Sequence, residues 1–186
     1  MTKTIEDGRE TMRPYPEHLV STCTLADGTA VIVRPIRPGD AMIEQAFVRG
    51  LSDEARYYRF MDMLRELTPR MLKQLTDIDY HDRMALVAIV RDGSQEQEIA
   101  VGRYCAEPDG VRCEFAIVVA DAWQGKGIAT IIMRKLIDTA RRRGLKWMVG
   151  EVLTSNHRML QFVTRLGFKV AFDPEDPTLM RATLQL

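Results

Sequence analysis

The chain has 186 residues, 46% hydrophobic and 28% charged, with 26 basic against 26 acidic side chains. That length suits one domain with its own core, and the zero net charge excludes a global field that would draw it to nucleic acid or to an anionic membrane. Cys23, Cys105 and Cys113 form no CxxC pair and leave one over in any disulfide scheme, and no apolar leader or membrane-length run is present, so a cytoplasmic chain without membrane partners is expected.

Residues 1–20 are polar, carry Pro14 and Pro16, and read as a flexible N-terminal arm ahead of a single domain over 21–186. Asp27-Gly28 is a hairpin-type turn into a β-branched strand, Thr29 to Arg34. Pro35 and Pro38 break that strand, and Asp40 then opens a helix over about 40–50. Ser52 opens a second helix, and Thr68-Pro69 supplies a cap and an N1 proline for a third. From Met84 the texture changes to three short apolar runs, 84–90, 98–104 and 111–119, joined by Asp92-Gly93 and Pro108-Asp109-Gly110, which reads as an antiparallel meander. Ile128, Ile131, Ile132, Leu136, Ile137 and Ala140 recur at helical spacing up to Arg141-Arg-Arg143 and Gly144. A strand over 146–153, a helix capped by Thr154 or Ser155 and closed by Gly167, and two final strands over 168–172 and 178–184 complete the pattern.

The stretch with the most chemistry in it is Trp123-Gln-Gly-Lys-Gly-Ile-Ala-Thr130, a glycine turn between a strand and a helix. Backbone N–H groups at such a turn converge on an anion, with the unpaired donors and positive dipole end of the helix behind them. A Walker A loop is excluded, because Lys126 is not followed by Ser or Thr; the dinucleotide fingerprint is excluded by its missing third glycine. What remains is Gln-x-x-Gly-x-Ala over Gln124 to Ala129, after a strand headed by Glu114, with Asn156 and Leu166-Gly167-Phe168 further on.

On these residues the chain resembles the GNAT family of acyl-CoA-dependent N-acyltransferases. Val33 to Pro38, Leu51 to Phe60, Leu67 to Pro69 and Asp77 to Tyr80 are similar, more narrowly, to the GNAT domain of bacterial protein lysine acetyltransferases of the Pat type. The resemblance implies an α+β, three-layer GNAT fold with a mixed, mostly antiparallel sheet of six or seven strands splayed at its middle. It implies acetyl-CoA as co-substrate, with the pantetheine arm along the backbone of Ile117, Val118 and Val119 and the pyrophosphate on the N–H groups of Gln124, Gly125, Lys126, Gly127, Ile128, Ala129 and Thr130, assisted by Asn156. Lys126 adds charge there or stands as a solvated loop lysine, and Asn156 reads as a cap or a pantetheine contact. No metal is expected, since His18, His81 and His157 lack partners at ligand spacing.

Transfer to an amine requires its neutral form, and a lysine amine of pKa about 10.4 costs about 4–5 kcal/mol to deprotonate at pH 7. Glu114 is the expected general base, its pKa raised by apolar neighbours; the alternative is a cross-hairpin ion pair with Arg103 or Arg112. The tyrosine that many family members use to protonate the leaving thiolate is replaced by Val163, which leaves Tyr57, Tyr58, Tyr80 and Tyr104 as possible donors. Asp77, Asp79 and Asp82 are either a receptor for a cationic substrate or a solvated loop. The acceptor is expected to be a protein lysine or a small amine; a regulatory acyl-CoA-binding module that has lost catalysis is the alternative. The oligomeric state is open.

Overall fold

The computed structural model describes residues 14–62 and 64–186. The arm expected over 1–20 lies mostly outside them. Its described end forms a 3-10 turn, Glu17–Leu19, that buries Leu19, and the Tyr15 hydroxyl donates to Pro35 O at 2.9 Å.

Among the described residues eight strands form one sheet, in the order β1-β2-β3-β4-β5-β6-β8-β7. They are β1 Ser21–Thr24, β2 Ala30–Pro35, β3 Arg83–Asp92, β4 Gln95–Ala106, β5 Arg112–Val119, β6 Trp147–Leu153, β7 Lys169–Phe172 and β8 Leu179–Gln185. The α+β layered fold agrees with expectation, and the strand count is corrected from six or seven to eight. The additional strand is β1, whose Ser-Thr-Cys-Thr residues form an edge too short and polar to show an apolar period. Every pairing is antiparallel except β5 with β6.

Helices cover both faces. On one lie α1 (Ala41–Gly50), α2 (Asp53–Phe60) and α3 (Pro69–Thr76), burying Phe47, Val48, Leu51 and Ala55 against Val87, Val101 and Val118. On the other, α4 (Ile128–Arg143) and α5 (His157–Arg165) bury Ile132, Met133, Leu136 and Val163 against Leu86, Ala100, Phe115 and Ile117. Alternation along β5 therefore sends Phe115 and Ile117 to one core and Val118 to the other.

The caps follow the sequence. The Ser52 and Thr68 hydroxyls accept from Ala55 N and Met71 N, each at 3.2 Å, and Gly144 closes α4 at φ 91°. Ser52 also donates to Asp121 at 2.8 Å, which ties α2 to the loop after β5. Beneath α1, Arg34 grips Asp40 through two hydrogen bonds of 2.6 and 2.9 Å and reaches Glu96 at 3.0 Å, a buried network that turns the chain from β2 into α1.

Candidate active site

The parallel pair β5–β6 holds together only over Arg112 to Glu114, opposite Trp147 to Val149. Past Glu114 the strands part, and among the described residues the β5 edge from Phe115 to Val119 has no strand beside it on that side. The cause is visible where the pairing stops. A Cβ built on Gly150 would stand 2.5 Å from Cε1 of Phe115, so the phenyl ring occupies the space over β6 that any other residue would fill. The ring is held there by Phe168, with centroids 5.0 Å apart.

A cleft of about 700 Å³ opens from this parting and runs to the N-termini of α4 and α5. Its walls include Ile117, Val118 and Val119 of β5, Gln124, Gly125, Gly127, Ile128, Ala129 and Thr130 of the glycine turn, and Asn156 at the head of α5. Gln124 (φ −69°, ψ 152°) followed by Gly125 (φ 79°) has the dihedrals of a type II turn, and Gly127 caps α4 at φ 86°. Both positive φ values sit where side chains other than glycine are strained. The first backbone bond into α4 is Ile131 N to Gly127 O; among the described residues the N–H groups of Gly127, Ile128, Ala129 and Thr130 meet no acceptor. Four free donors and a helix dipole at the mouth of a cleft form an anion cradle. A Cβ on Gly127 would touch nothing in the protein, so the space in front of it is open to a ligand.

The family model for the acetyltransferase (GNAT) domain matches residues 30–169. The chain belongs to the GNAT family of acetyltransferases. A relative in Pseudomonas aeruginosa, named as an acetyltransferase, is 39% identical over 155 residues, 83% of each chain. Acetyltransferase Pat of Mycolicibacterium smegmatis is 32% identical over 136 residues, which is 73% of this chain and 40% of that protein. Among solved structures, the GNAT domain of S. lividans PAT superposes with a TM-score of 0.83 at 30% identity, covering 93% of this chain and 100% of that one. The enzyme is thus an acyl-CoA-dependent N-acetyltransferase.

Two residues expected at the GNAT cofactor site stand differently from the rest. Lys126 does not line the cleft: its Nζ pairs with Asp27 at 2.6 Å and lies 4.9 Å from the Trp123 ring centroid. Gln124 lines the cleft, but its N–H already bonds Asp121 O at 3.3 Å and its Nε2 donates to Val119 O at 3.1 Å, so it braces the end of β5 against the turn. The cation beside the cradle is Arg158, which lines the cleft, donates to Gln124 Oε1 and approaches Gly125. It is the second residue of α5, and only the packing of α5 beside the glycine turn could reveal it.

Asn156, rather than Thr154 or Ser155, caps α5: its Oδ1 accepts from Met159 N at 3.0 Å. Cap and ligand contact do not compete, because Oδ1 serves the helix while Nδ2 is a separate donor group on a residue that lines the cleft.

Glu114 is the last β5 residue paired with β6 and stands at the closed end of the parting. It is exposed, and it makes no hydrogen bond or ion pair among the described residues. Arg103 instead goes to Glu44 at 3.1 Å and to Leu75 O, while Arg112 goes to Glu107 and Asp109. Partial desolvation raises the Glu114 pKa, reinforced by Glu151 and Glu107 and opposed by Arg59. Val163 is fully buried in the core, and its α5 neighbours Met159 and Phe162, which line the cleft, carry no proton to give. Of the four tyrosines, Tyr58 lines the cleft; Tyr57 does not, Tyr80 donates to Ile36 O with its pKa pushed up to about 12 by burial, and Tyr104 is buried. The aspartates before β3 build a turn: Asp79 Oδ1 accepts from the N–H groups of His81, Asp82 and Arg83, and Asp82 pairs with Arg143. Among the described residues no His, Cys, Asp and Glu group has the arrangement of a metal site.

Proposed function

We propose that the protein transfers the acetyl group of acetyl-CoA to a lysine side chain of another protein, by direct attack of the amine on the thioester. The reading is supported chiefly by the parting of β5 and β6 with four free N–H groups at its mouth. Acetyl-CoA fits that shape end to end: diphosphate on the amides of Gly127 to Thr130 beside Arg158, pantetheine amides along the open edge of Ile117 to Val119 as an added strand, Asn156 Nδ2 donating to the arm. The thioester then lies toward the closed end, where Glu114 stands.

The acceptor arrives as an ammonium, and the carboxylates of Glu114, Glu151 and Glu107 favour a cation there. Glu114 accepts the amine proton directly or through water. The neutral nitrogen attacks the carbonyl carbon, the C–S bond breaks, the nitrogen loses its second proton to water as the amide forms, and the CoA thiolate takes a proton from Tyr58 or from water. A thiol of pKa about 8.5 leaves without an obligatory acid, so Val163 does not prevent turnover. The likeness to the Pat GNAT domain supports a protein lysine over a small amine. Incubating a cell lysate with acetyl-CoA, with and without the enzyme, and mapping acetyl-lysine by mass spectrometry tests this. New sites confined to a few proteins support it; none, together with turnover of free polyamines or amino acids, places the acceptor among small amines.

A further inference from the structure

Arg59 of α2 is a charged side chain on the cleft wall to which acetyl transfer gives no role. It lines the cleft beside Ala55 and Tyr58, and it is only partly exposed. Its guanidinium stacks on Phe60, 4.9 Å from the ring centroid, which holds the plane and leaves the N–H edges uncommitted. Among the described residues it makes no hydrogen bond and no ion pair. The nearest opposite charges are partly spoken for: Glu44 is bonded to Arg103, and Glu114 is engaged electrostatically without contact.

Burial and the neighbouring Arg103 lower the Arg59 pKa to about 10, which still leaves it cationic at pH 7. A guanidinium that lines the cleft without a protein partner keeps its donors open to a ligand, and its planar fork matches a carboxylate. Methyl, ethyl or propyl acyl chains cannot satisfy it. α2 packs on β5 and brings Arg59 to the cleft from that side, where its charge acts on Glu114, whereas Arg158 stands at the head of α5 beside the glycine turn.

Resting on the acyl-CoA reading of this cleft, we propose that the enzyme also accepts short dicarboxylic acyl-CoA thioesters, with Arg59 binding the distal carboxylate of a malonyl or succinyl group. The step balances as acetyl transfer does. The lysine nitrogen bonds to the thioester carbonyl carbon, the C–S bond breaks, the amine proton passes to Glu114, and the CoA thiolate is protonated; the product amide carries the carboxylate in place of the lysine's charge.

The test is steady-state kinetics with succinyl-CoA against butyryl-CoA, which has the same chain length without the charge. The wild-type enzyme is expected to favour succinyl-CoA in kcat/KM by tenfold or more. Arg59→Leu is expected to lower that ratio at least tenfold, and Arg59→Lys to restore part of it. A wild-type ratio at or below one overturns the proposal, and so does an equal loss for both thioesters in Arg59→Leu, which marks a general effect on Glu114. If Arg59→Leu does not fold, the wild-type ratio decides alone. Calorimetry with CoA separates the two readings: if CoA binds and acetyl-CoA turns over without a succinyl preference, only the Arg59 proposal falls, whereas absence of CoA binding removes both.

Discussion

Replacing Gly127 with alanine separates the cost of the backbone from the cost of the ligand. Gly127 has φ 86°, and a Cβ there would have no protein atom within 4 Å. Alanine therefore introduces no clash, only the left-handed strain of about 1–2 kcal/mol. For a domain of this length that lowers Tm by roughly 2–8 °C, at about 2–4 °C per kcal/mol. Gly144 is the control. It ends the same helix at φ 91°, likewise with nothing within 4 Å of a Cβ, and lies at the opposite end of α4 from the cleft. Gly144→Ala should lose a similar amount of Tm. The two variants differ in binding: Cβ at 127 would project into the space proposed for the diphosphate, so CoA affinity should fall on the order of tenfold or more, about 1.4 kcal/mol, while Gly144→Ala should bind as the wild type does. Thermal unfolding and calorimetry on both proteins check this. Equal CoA affinity in Gly127→Ala and Gly144→Ala would refute the placement of the anion at the α4 N-terminus.

Glu114→Gln should reduce kcat by about 10²–10⁴-fold with little change in acetyl-CoA affinity. In the wild type, activity should fall as pH drops through a value above the ordinary glutamate range, since the Glu114 pKa is raised and its ionised form is the proposed base; stopped assays across pH would show that acid limb disappear in the variant. Gly150→Ala forces the Phe115 ring away from a contact of 2.5 Å, and overpacking of this kind costs about 1–3 kcal/mol; if Tm is unchanged, or if Phe115→Leu fails to rescue it in a double-mutant cycle, the ring is not what limits β6. Glu98 is buried at 3% exposure, and among the described residues neither of its oxygens meets a donor, so it keeps its proton, its pKa raised well above the usual value by burial and by the neighbouring Glu44. Because the folded chain holds a proton that the unfolded chain releases, stability is full below the unfolded pKa and declines as pH rises toward the folded one. Glu98→Gln should therefore gain Tm relative to wild type as pH increases from 5 to 8, and a constant difference would refute the protonated state.

The elements were largely legible because their signals are local. The Thr68-Pro69 cap, the 3.6-residue period from Ile128 and the glycine that closes α4 each act within a turn or two. The Pat-like segments were legible for a different reason than function: Arg34 clasps Asp40, Ser52 caps α2, Thr68 caps α3, and Tyr80 reaches Ile36, so those residues build the helical layer over the cleft. What sequence could not show depends on distant partners. Lys126 belongs to Asp27, 99 residues away, and a flexible lysine goes wherever such a carboxylate stands. Arg158 and Arg59 are ordinary helix-surface residues until α5 and α2 are packed against the splayed edge. The orientation of Val163 into the core, with Phe162 toward the cleft, likewise follows from how α5 lies on the sheet.

Calorimetric titration with CoA and with pantetheine probes the cradle most directly, because the two ligands differ in the adenosine and diphosphate moieties. CoA should bind with one-to-one stoichiometry, and pantetheine on the order of 100-fold more weakly or worse, as the loss of two charge-assisted hydrogen bonds implies. No heat with CoA, or equal affinity for both, would contradict the assignment of the α4 N-terminus as the diphosphate site.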